Sequence, residues 1–450
     1  MIRLRPRPLA LLLALAACPL PALAAGAFGT AFDAARTHDA EYLAARHELA
    51  AGEELAPIAR AGLLPTITAS YSESRVRGER EFPAPRPPED LDYRNPVAAL
   101  QLRAPLLNLE ARSRYHAALA QTDSARARFA AGGRDLLDRL GLAYVQRLFA
   151  EESLTLAHVQ VDALAVQTRI AQRRLGAGEG TRTEAADAAA SHASARAELI
   201  QAQDQRELAQ RTLGRITGDT ALTLRTLAAD AAPLLSGERT LQDWIALGSE
   251  RNPALEARRR EIDALRHEVR RSRAGHYPRV DLIASAVNAE NESISSLDQE
   301  TRQYSIGVQV NIPIYAGGGV DATVRRAAAE LARTEAQLEN EMQALKLDIQ
   351  RQFQQMESGR ARLDSLTEAV DASALALQGA QRGMSTGVLS SADVLDALRR
   401  HHTARRDAAQ ARHELLLARL RLQSLAGLAV EEIVADIDSL LTVELASTGR

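Results

Sequence analysis

The sequence is poor in several residue types, and each shortage narrows what the chain can be. Only 3% of the 450 residues are aromatic although 46% are hydrophobic, a balance that suits long helices better than a bulky globular core. The net charge is -3, and arginines alternate with acidic residues instead of forming a basic patch, so we expect no nucleic-acid partner. A single cysteine, Cys18, cannot form a disulfide within the chain.

Motifs of catalysis and of cofactor binding are also missing. The sequence has no glycine-rich phosphate loop after a strand, no serine nucleophile elbow and no cysteine pair. His401 and His402 are adjacent, which places them on different faces of a helix, and no glutamate completes a metalloprotease spacing around them. We therefore predict that the protein is not an enzyme and needs neither a cofactor nor a metal.

The N-terminus carries an apolar run that is too short to cross a bilayer as a helix. Three arginines precede this run, which covers residues 9–17, and Ala22-Leu23-Ala24 follows it. The pattern predicts a signal peptide over residues 1–24, so the mature protein leaves the cytoplasm. An alternative stays open because the residues up to Cys18 also resemble a lipoprotein cleavage box, which would make Cys18 a lipidated N-terminus.

Proline is absent over two long stretches, between Pro105 and Pro233 and after Pro313. In the second stretch, apolar residues recur at threes, fours and sevens for about sixty residues, which predicts a coiled-coil seam about 90 to 100 Å long. The seam residues are Leu331, Leu338, Leu345, Ile349, Phe353, Met356, Leu363, Leu366, Val370 and Leu377. We expect each long helix to end at a glycine-containing tip, at 176–183 or 384–391, and to return through a shorter helix.

The second tip combines a helix stop with a helix start. Gly387 interrupts the helical pattern, and Ser390 offers a hydroxyl to the free N–H groups of the next helix. Asp393 and Asp396 follow three residues apart, so their carboxylates lie on one face near the positive end of that helix. This pair can be ordinary helix-start chemistry or a functional acidic site, and the stretch alone does not decide between them.

The same turn occurs about 209 residues earlier, which shows that the chain is built from two copies of one unit. Gly178 corresponds to Gly387, Glu184 to Asp393 and Asp187 to Asp396. The repeats are predicted at 25–220 and 241–430, with a connector at 221–240 and a C-terminal segment at 431–450.

Each repeat is predicted to begin with an amphipathic helix, at 28–62 and 241–275, followed by a proline and a change of period to two. Strands are expected at about 66–74, 97–105, 279–289 and 304–313, with exposed loops at 73–96 and 288–303. The last strand places Ile306, Val308, Val310 and Ile312 on one face. Such strands form either half of a soluble sandwich or part of a membrane barrel, and four strands would close a pore only with strands from other chains.

Together these features resemble the TolC family of outer-membrane efflux and secretion channels. The tip residues that match in register are Gly387, Asp393, Val394, Leu395, Asp396 and Ala397. The resemblance implies a mainly α-helical fold with membrane β-strands, in which a homotrimer forms a twelve-stranded barrel in the outer-membrane lipid of a Gram-negative bacterium. A helical tunnel would continue it through the periplasm. The duct would export proteins or small toxic compounds with a periplasmic adaptor and an inner-membrane ABC or proton-driven transporter.

The resemblance also assigns roles to the tips. It implies a constriction lined by Asp393 and Asp396, with Glu184 and Asp187 as the acids of the first repeat. It places the adaptor-docking tip at Gly387, Val388 and Leu389, with Gly178 as the counterpart.

Two departures affect the closed state, because Met384 and Leu389 stand where well-known members carry an aromatic residue and an arginine that lock it. Two alternatives remain open, a lipidated efflux factor of a proton-driven pump and a periplasmic coiled-coil scaffold without a pore.

Overall fold

The computed structural model describes residues 27–219, 222–227, 239–291, 299–441 and 443–444, except positions 82, 84 and 85. The predicted signal peptide and Cys18 lie outside the described residues. The elements, in order, are α1 Ala27–His38, α2 Ala40–Glu53, α3 Leu55–Ala61, β1 Thr66–Arg80, β2 Glu89–Leu107, α4 Leu109–Gly176, α5 Arg182–Thr217, β3 Arg225–Thr226, α6 Leu241–Arg251, α7 Pro253–Ala274, β4 Arg279–Asn291, β5 Gln299–Asn311, α8 Gly319–Ser385, α9 Ser391–Leu425, α10 Val430–Leu440 and β6 Val443–Glu444.

The prediction of one continuous helix at the start of each repeat is wrong, because both helices are interrupted. In the first repeat, Asp39 adopts an extended conformation and caps α2, accepting a hydrogen bond from the Tyr42 N–H at 2.8 Å. Its carboxylate also accepts two hydrogen bonds from Arg139 of α4, at 2.8 and 2.9 Å. In the second repeat, Asn252 caps α7, which begins at Pro253. Local capping therefore outweighs the apolar periodicity at both places.

The four long strands form one antiparallel sheet in the order β1-β2-β4-β5. They extend further than predicted, and the expected loop at 73–96 is mostly strand, since the pairing of β1 with β2 continues to Arg80 and Glu89. The Arg75 guanidinium donates to Asp92 on the neighbouring strand at 2.7 and 2.9 Å. Cross-strand charge pairs of this kind allow a polar segment to remain in a sheet. The expected loop at 288–303 is likewise shorter, because β4 continues to Asn291 and β5 begins at Gln299.

The sheet has one apolar and one polar face, as the alternation predicts. By register, one row across the four strands contains Ile67, Leu102, Ala284 and Ile306, and the adjacent row of the other face contains Thr68, Gln101, Ser285 and Ser305. Ile67 is 68% exposed and Ile306 is 78% exposed. The described residues therefore leave this apolar face open, which is not the packing that a soluble sandwich would give it.

The long helices form a second layer, in the order α5-α4-α9-α8, since α4 packs against both α5 and α9 and α9 packs against α8. The predicted coiled-coil seam of α8 is confirmed, because each of its ten residues is buried or half-buried. Both edges of the layer carry exposed apolar side chains, Ile200 and Leu208 on α5 and Leu347 and Leu375 on α8. No described helix is both long enough and apolar enough to span a membrane.

The largest hydrophobic core lies near the middle of the long helices, where the short helices pack against them. Phe28 of α1 meets Tyr144 of α4 edge to face, with ring centroids 5.3 Å apart. The Tyr144 hydroxyl donates to the Arg225 carbonyl at 3.1 Å, which ties the small β3–β6 sheet to the core. At 1.5 Å per residue, the tip at Gly176 lies about 50 Å from Tyr144. The tips are therefore remote from the main source of stability.

A buried ion network joins α4 to α5 between the core and the first tip. Glu151 accepts hydrogen bonds from Arg147 on its own helix and from Arg206 at 3.1 Å. Burial alone would raise the pKa of the Glu151 carboxyl, but the two arginines outweigh it and hold that pKa below its ordinary value. The network therefore keeps Glu151 ionised inside the helical layer.

Candidate functional site

The two hairpin tips have the same backbone. Two residues after the end of each long helix stands a glycine in the left-handed region, Gly178 with φ 75° and Gly387 with φ 78°. The N–H of the next residue then bonds back five positions, from Glu179 to the Arg174 carbonyl at 2.9 Å and from Val388 to the Gly383 carbonyl at 2.8 Å. This C-terminal motif turns the chain without help from side chains outside the tip.

Two of the four predicted acidic residues are occupied in helix caps. The Glu184 carboxylate accepts from the Thr181 N–H at 2.8 Å, and the Asp393 carboxylate accepts from the Ser390 N–H at the same distance. In return, each acidic residue donates its own N–H to the hydroxyl of the cap residue. These hydrogen bonds lower the pKa of both carboxyls below the ordinary values. Glu184 and Asp393 are therefore ionised and directed toward the start of their own helices.

The other two acids differ between the repeats. Asp396 forms ion pairs with Arg399 and with Arg400, the latter at 2.5 Å, and all three side chains lie on one face of α9. Asp187 is exposed on α5 and makes no ion pair with any described residue. The structure thus places the four predicted acids in equivalent backbone positions but in different electrostatic surroundings.

Large and small side chains are exchanged between the tips. In the second tip, Leu389 lies over Gly383, where an added Cβ would be 2.7 Å from a Leu389 methyl carbon. In the first tip the equivalent pair is reversed, because Arg174 corresponds to Gly383 and Gly180 corresponds to Leu389. A Cβ added at Gly180 would lie 3.2 Å from the Cβ of Arg174. Val388 is 78% exposed at the end of the second tip. Each tip therefore accommodates only one bulky residue at this contact.

Met384 has a packing role at the second tip. It lies against a small apolar cluster between α8 and α9, formed by Ala380, Val394 and Ala397 together with Leu377 and Leu398. Neither Met384 nor Leu389 has a side chain that could form polar bonds to the other hairpin. Both residues instead stabilise the second tip by packing against their own hairpin.

A cavity of about 450 Å³ lies behind the tips, between α4, α5 and α9. His401 and His402 both line it. The Nδ1 atom of His401 is 3.0 Å from the Ser373 hydroxyl, and burial lowers the pKa of both imidazoles. Among the described residues, no group of three potential ligands could hold a metal ion.

The family model described as "Outer membrane efflux protein" matches the chain twice, at residues 32–219 and 244–428. The chain belongs to this family. It is 33% identical to the proteases secretion protein PrtF of Dickeya chrysanthemi, over 88% of this chain and 87% of the relative. It is 30% identical to the alkaline protease secretion protein AprF of Pseudomonas aeruginosa, over 88% and 84%. The solved structure of the outer-membrane channel OprN has a TM-score of 0.75 at 21% identity, covering 89% of this chain and 90% of the other.

These findings confirm the predicted family, the channel fold and the outer-membrane location. The chain is a TolC-like exit duct of the outer membrane efflux protein family and not a periplasmic scaffold. Its family consists of transport proteins, as the resemblance implied.

Arg399 and Arg400 were not predicted as partners of Asp396. Their spacing of three and four residues after that aspartate was the available signal.

Proposed function

We propose that three copies of this chain close into one duct by joining the open edges of both layers. In the sheet, β1 and β5 each have one side without a partner among the described strands. In the helical layer, α5 and α8 occupy the corresponding outer positions and expose Ile200, Leu208, Leu347 and Leu375. The first repeat supplies one edge of each layer and the second repeat supplies the other, which suits head-to-tail contact between identical chains.

The exposed apolar sheet face carries this proposal. A sheet that displays Tyr304 at 81% and Ile306 at 78% exposure needs an apolar surrounding, and the lipid of the outer membrane provides one. The opposite face, with Gln101 and Ser285, then faces the lumen. Twelve strands, four from each chain, form the barrel, and the helical layer continues it as a tunnel through the periplasm.

The duct exports a protein as part of a type I secretion system. Two relatives of at least 30% identity are named for protease secretion, which favours a protein cargo over a small toxic compound. An inner-membrane ABC transporter supplies the energy for export, because the duct itself has no catalytic role. A periplasmic adaptor connects the transporter to the duct. Gly387, Val388 and Leu389 form the adaptor-docking tip, and Gly178 lies at its counterpart.

The periplasmic end is closed by the tips. Glu184, Asp187, Asp393 and Asp396 surround the constriction, and opening separates these charges when the adaptor docks. Mutual repulsion among these carboxylates favours the open state, and their negative charge attracts cations to the closed end.

The cargo can be tested by complementation of a strain that lacks its protease-secretion duct. Expression of this chain should restore extracellular protease, whereas restoration of drug resistance without protease export would favour a role in efflux. Light scattering of the purified protein in detergent should give three chains per particle. A monomeric particle that is folded by circular dichroism would contradict the edge-to-edge assembly.

A further inference from the structure

A basic collar lies at the junction between the four-stranded sheet and the helices. The register of the sheet brings the starts of β1 and β4 and the ends of β2 and β5 to one end. The four connections from these strand ends to the helices contain nine arginines and three acidic residues, whereas the whole chain has a net charge of -3; the connections are 57–65, 106–116, 268–279 and 312–326. Because the collar comes from separate segments, it does not appear in the sequence as a basic run.

Part of this charge is neutralised on the side that continues the polar face of the sheet. Arg279, which by register lies on that face, donates to Glu110 of α4 at 2.9 Å. Arg271 of α7 donates to Glu110 at 3.4 Å and to Glu268 at 2.8 Å. The two glutamates are therefore held by arginines on the polar side of α4 and α7.

Two arginines lie on the opposite side of the same two helices. Arg112 and Arg270 each follow one of these glutamates by two residues, which corresponds to about 200° around a helix. The rings of His116 on α4 and His267 on α7, four and three residues away, stack with centroids 5.4 Å apart, which places both arginines at nearly the same level. Both are exposed, and neither forms an ion pair with any described residue. Two uncompensated positive charges are therefore presented side by side.

These arginines lie below the apolar face of the sheet and away from its edges. Leu107, which is on the apolar face because it pairs with Val280, is 45% exposed and lies about 10 Å before Arg112 along the chain. The polar headgroup layer of a bilayer begins at this distance from the hydrocarbon. At this level α4 packs against α3 and α7, and α7 packs against α8, so edge-to-edge contact between copies leaves the outer surfaces of α4 and α7 uncovered.

We propose that Arg112 and Arg270 bind the phosphate of an anionic phospholipid in the periplasmic leaflet of the outer membrane. The proposal rests on the proposed placement of the apolar sheet face in lipid, since that placement sets the level of the headgroups. Guanidinium groups bind phosphate through paired N–H donors and keep their charge at every physiological pH. A zwitterionic headgroup carries its own ammonium group and gains less from two arginines, so the site favours a phospholipid of net negative charge.

The test is competition between equal amounts of phosphatidylglycerol and phosphatidylcholine for the purified protein in detergent, measured by native mass spectrometry. We expect the wild type to retain phosphatidylglycerol preferentially. Arg112→Gln and Arg270→Gln should each lower its apparent affinity about fivefold, and the double variant about thirtyfold, with phosphatidylcholine binding unchanged. The matched control is Arg169→Gln/Arg360→Gln, which removes the same charge from exposed positions farther along α4 and α8.

Other outcomes separate this inference from the placement of the sheet. Equal phosphatidylglycerol affinity in the wild type and the double variant, or a loss that the control reproduces, would overturn the lipid site while leaving the sheet in lipid. Failure of the wild type to insert into vesicles of phosphatidylcholine alone would instead remove that placement. Arg112→Lys/Arg270→Lys keeps both charges and should retain most of the preference, and the single variants allow the comparison if the double glutamine substitution impairs folding.

Discussion

Replacement of Asp138 by asparagine should stabilise the protein at neutral pH and not at pH 4. Asp138 lies on α4, accepts a hydrogen bond from Ser424 at 3.2 Å, and has a second oxygen that is buried without a partner among the described residues. Burial raises the pKa of this carboxyl from 3.8 to about 6. That difference corresponds to about 3 kcal/mol, and because the side chain keeps some contact with solvent we expect about 1–2 kcal/mol.

The sign follows from the two states of the chain. Above pH 6 the folded protein must hold Asp138 ionised in a poorly hydrated site, whereas the unfolded chain ionises it in water, so the charge lowers the free energy of unfolding. As the pH falls toward 3.8 both states take up the proton and this cost disappears. Asparagine removes the charge and can still accept the hydrogen bond from Ser424. Its advantage should therefore appear as the pH rises from about 4 to about 7.

The assay is thermal unfolding of the detergent-solubilised protein, followed by circular dichroism at 222 nm at pH 4.5 and pH 7.5. We expect Asp138→Asn to melt a few degrees above the wild type at pH 7.5, with most of that gain lost at pH 4.5. Asp162→Asn, an exposed position on the same helix, serves as the control. A shift that is the same at both pH values, or one that Asp162→Asn reproduces, would refute the argument from burial.

Three further predictions use other sites. Glu151→Gln leaves its two arginine partners without a counter-charge, so the free energy of unfolding should fall by about 3 kcal/mol. An unchanged denaturation midpoint would show that the network contributes nothing to stability. Gly427→Ala should lower the melting temperature more than Gly387→Ala. Both glycines have positive φ, but only at Gly427 would a new Cβ lie 2.7 Å from the Arg251 backbone. Equal losses of melting temperature would show that the strain of the positive φ, and not this close contact, is the cause. Acidification below pH 6.5 should reduce stability in part through His402, whose pKa burial lowers, and His402→Gln should make melting less dependent on pH between 6.5 and 5.

The long-range pattern of the fold could be predicted from the sequence because it depends on repetition. The absence of proline, the seam from Leu331 to Leu377 and the alternation around Ile306 each extend over many residues, so single exceptions do not change the result. The tips could be placed for the same reason, since Gly178 and Gly387 recur in equivalent surroundings. Family membership then follows from several signals in register.

The remaining details depend on single side chains that reach across the fold. The break at Asp39 is fixed by its own helix cap and also by Arg139, 100 positions away. The second contact could not be recognised from the local pattern. The extension of β1 and β2 depends on pairing between strands that each appear polar alone. At the second tip, Ser390 was recognisable as a helix cap. The sequence did not show that this cap would also engage the carboxylate of Asp393, a predicted gate residue, in hydrogen bonds.

The two tips carry their bulky side chain on opposite sides of the same contact, with Leu389 over Gly383 in one and Arg174 against Gly180 in the other. This exchange affects how the duplicated unit can evolve. The turn is closed by main-chain bonds and helix caps in both copies, so its shape is independent of which partner carries the side chain. Each copy can therefore acquire new surface chemistry without altering the turn of the other. In the proposed trimer, a partner at the tips would find two kinds of contact in alternation on one common backbone, and mutations could refine recognition at one kind while the other is preserved.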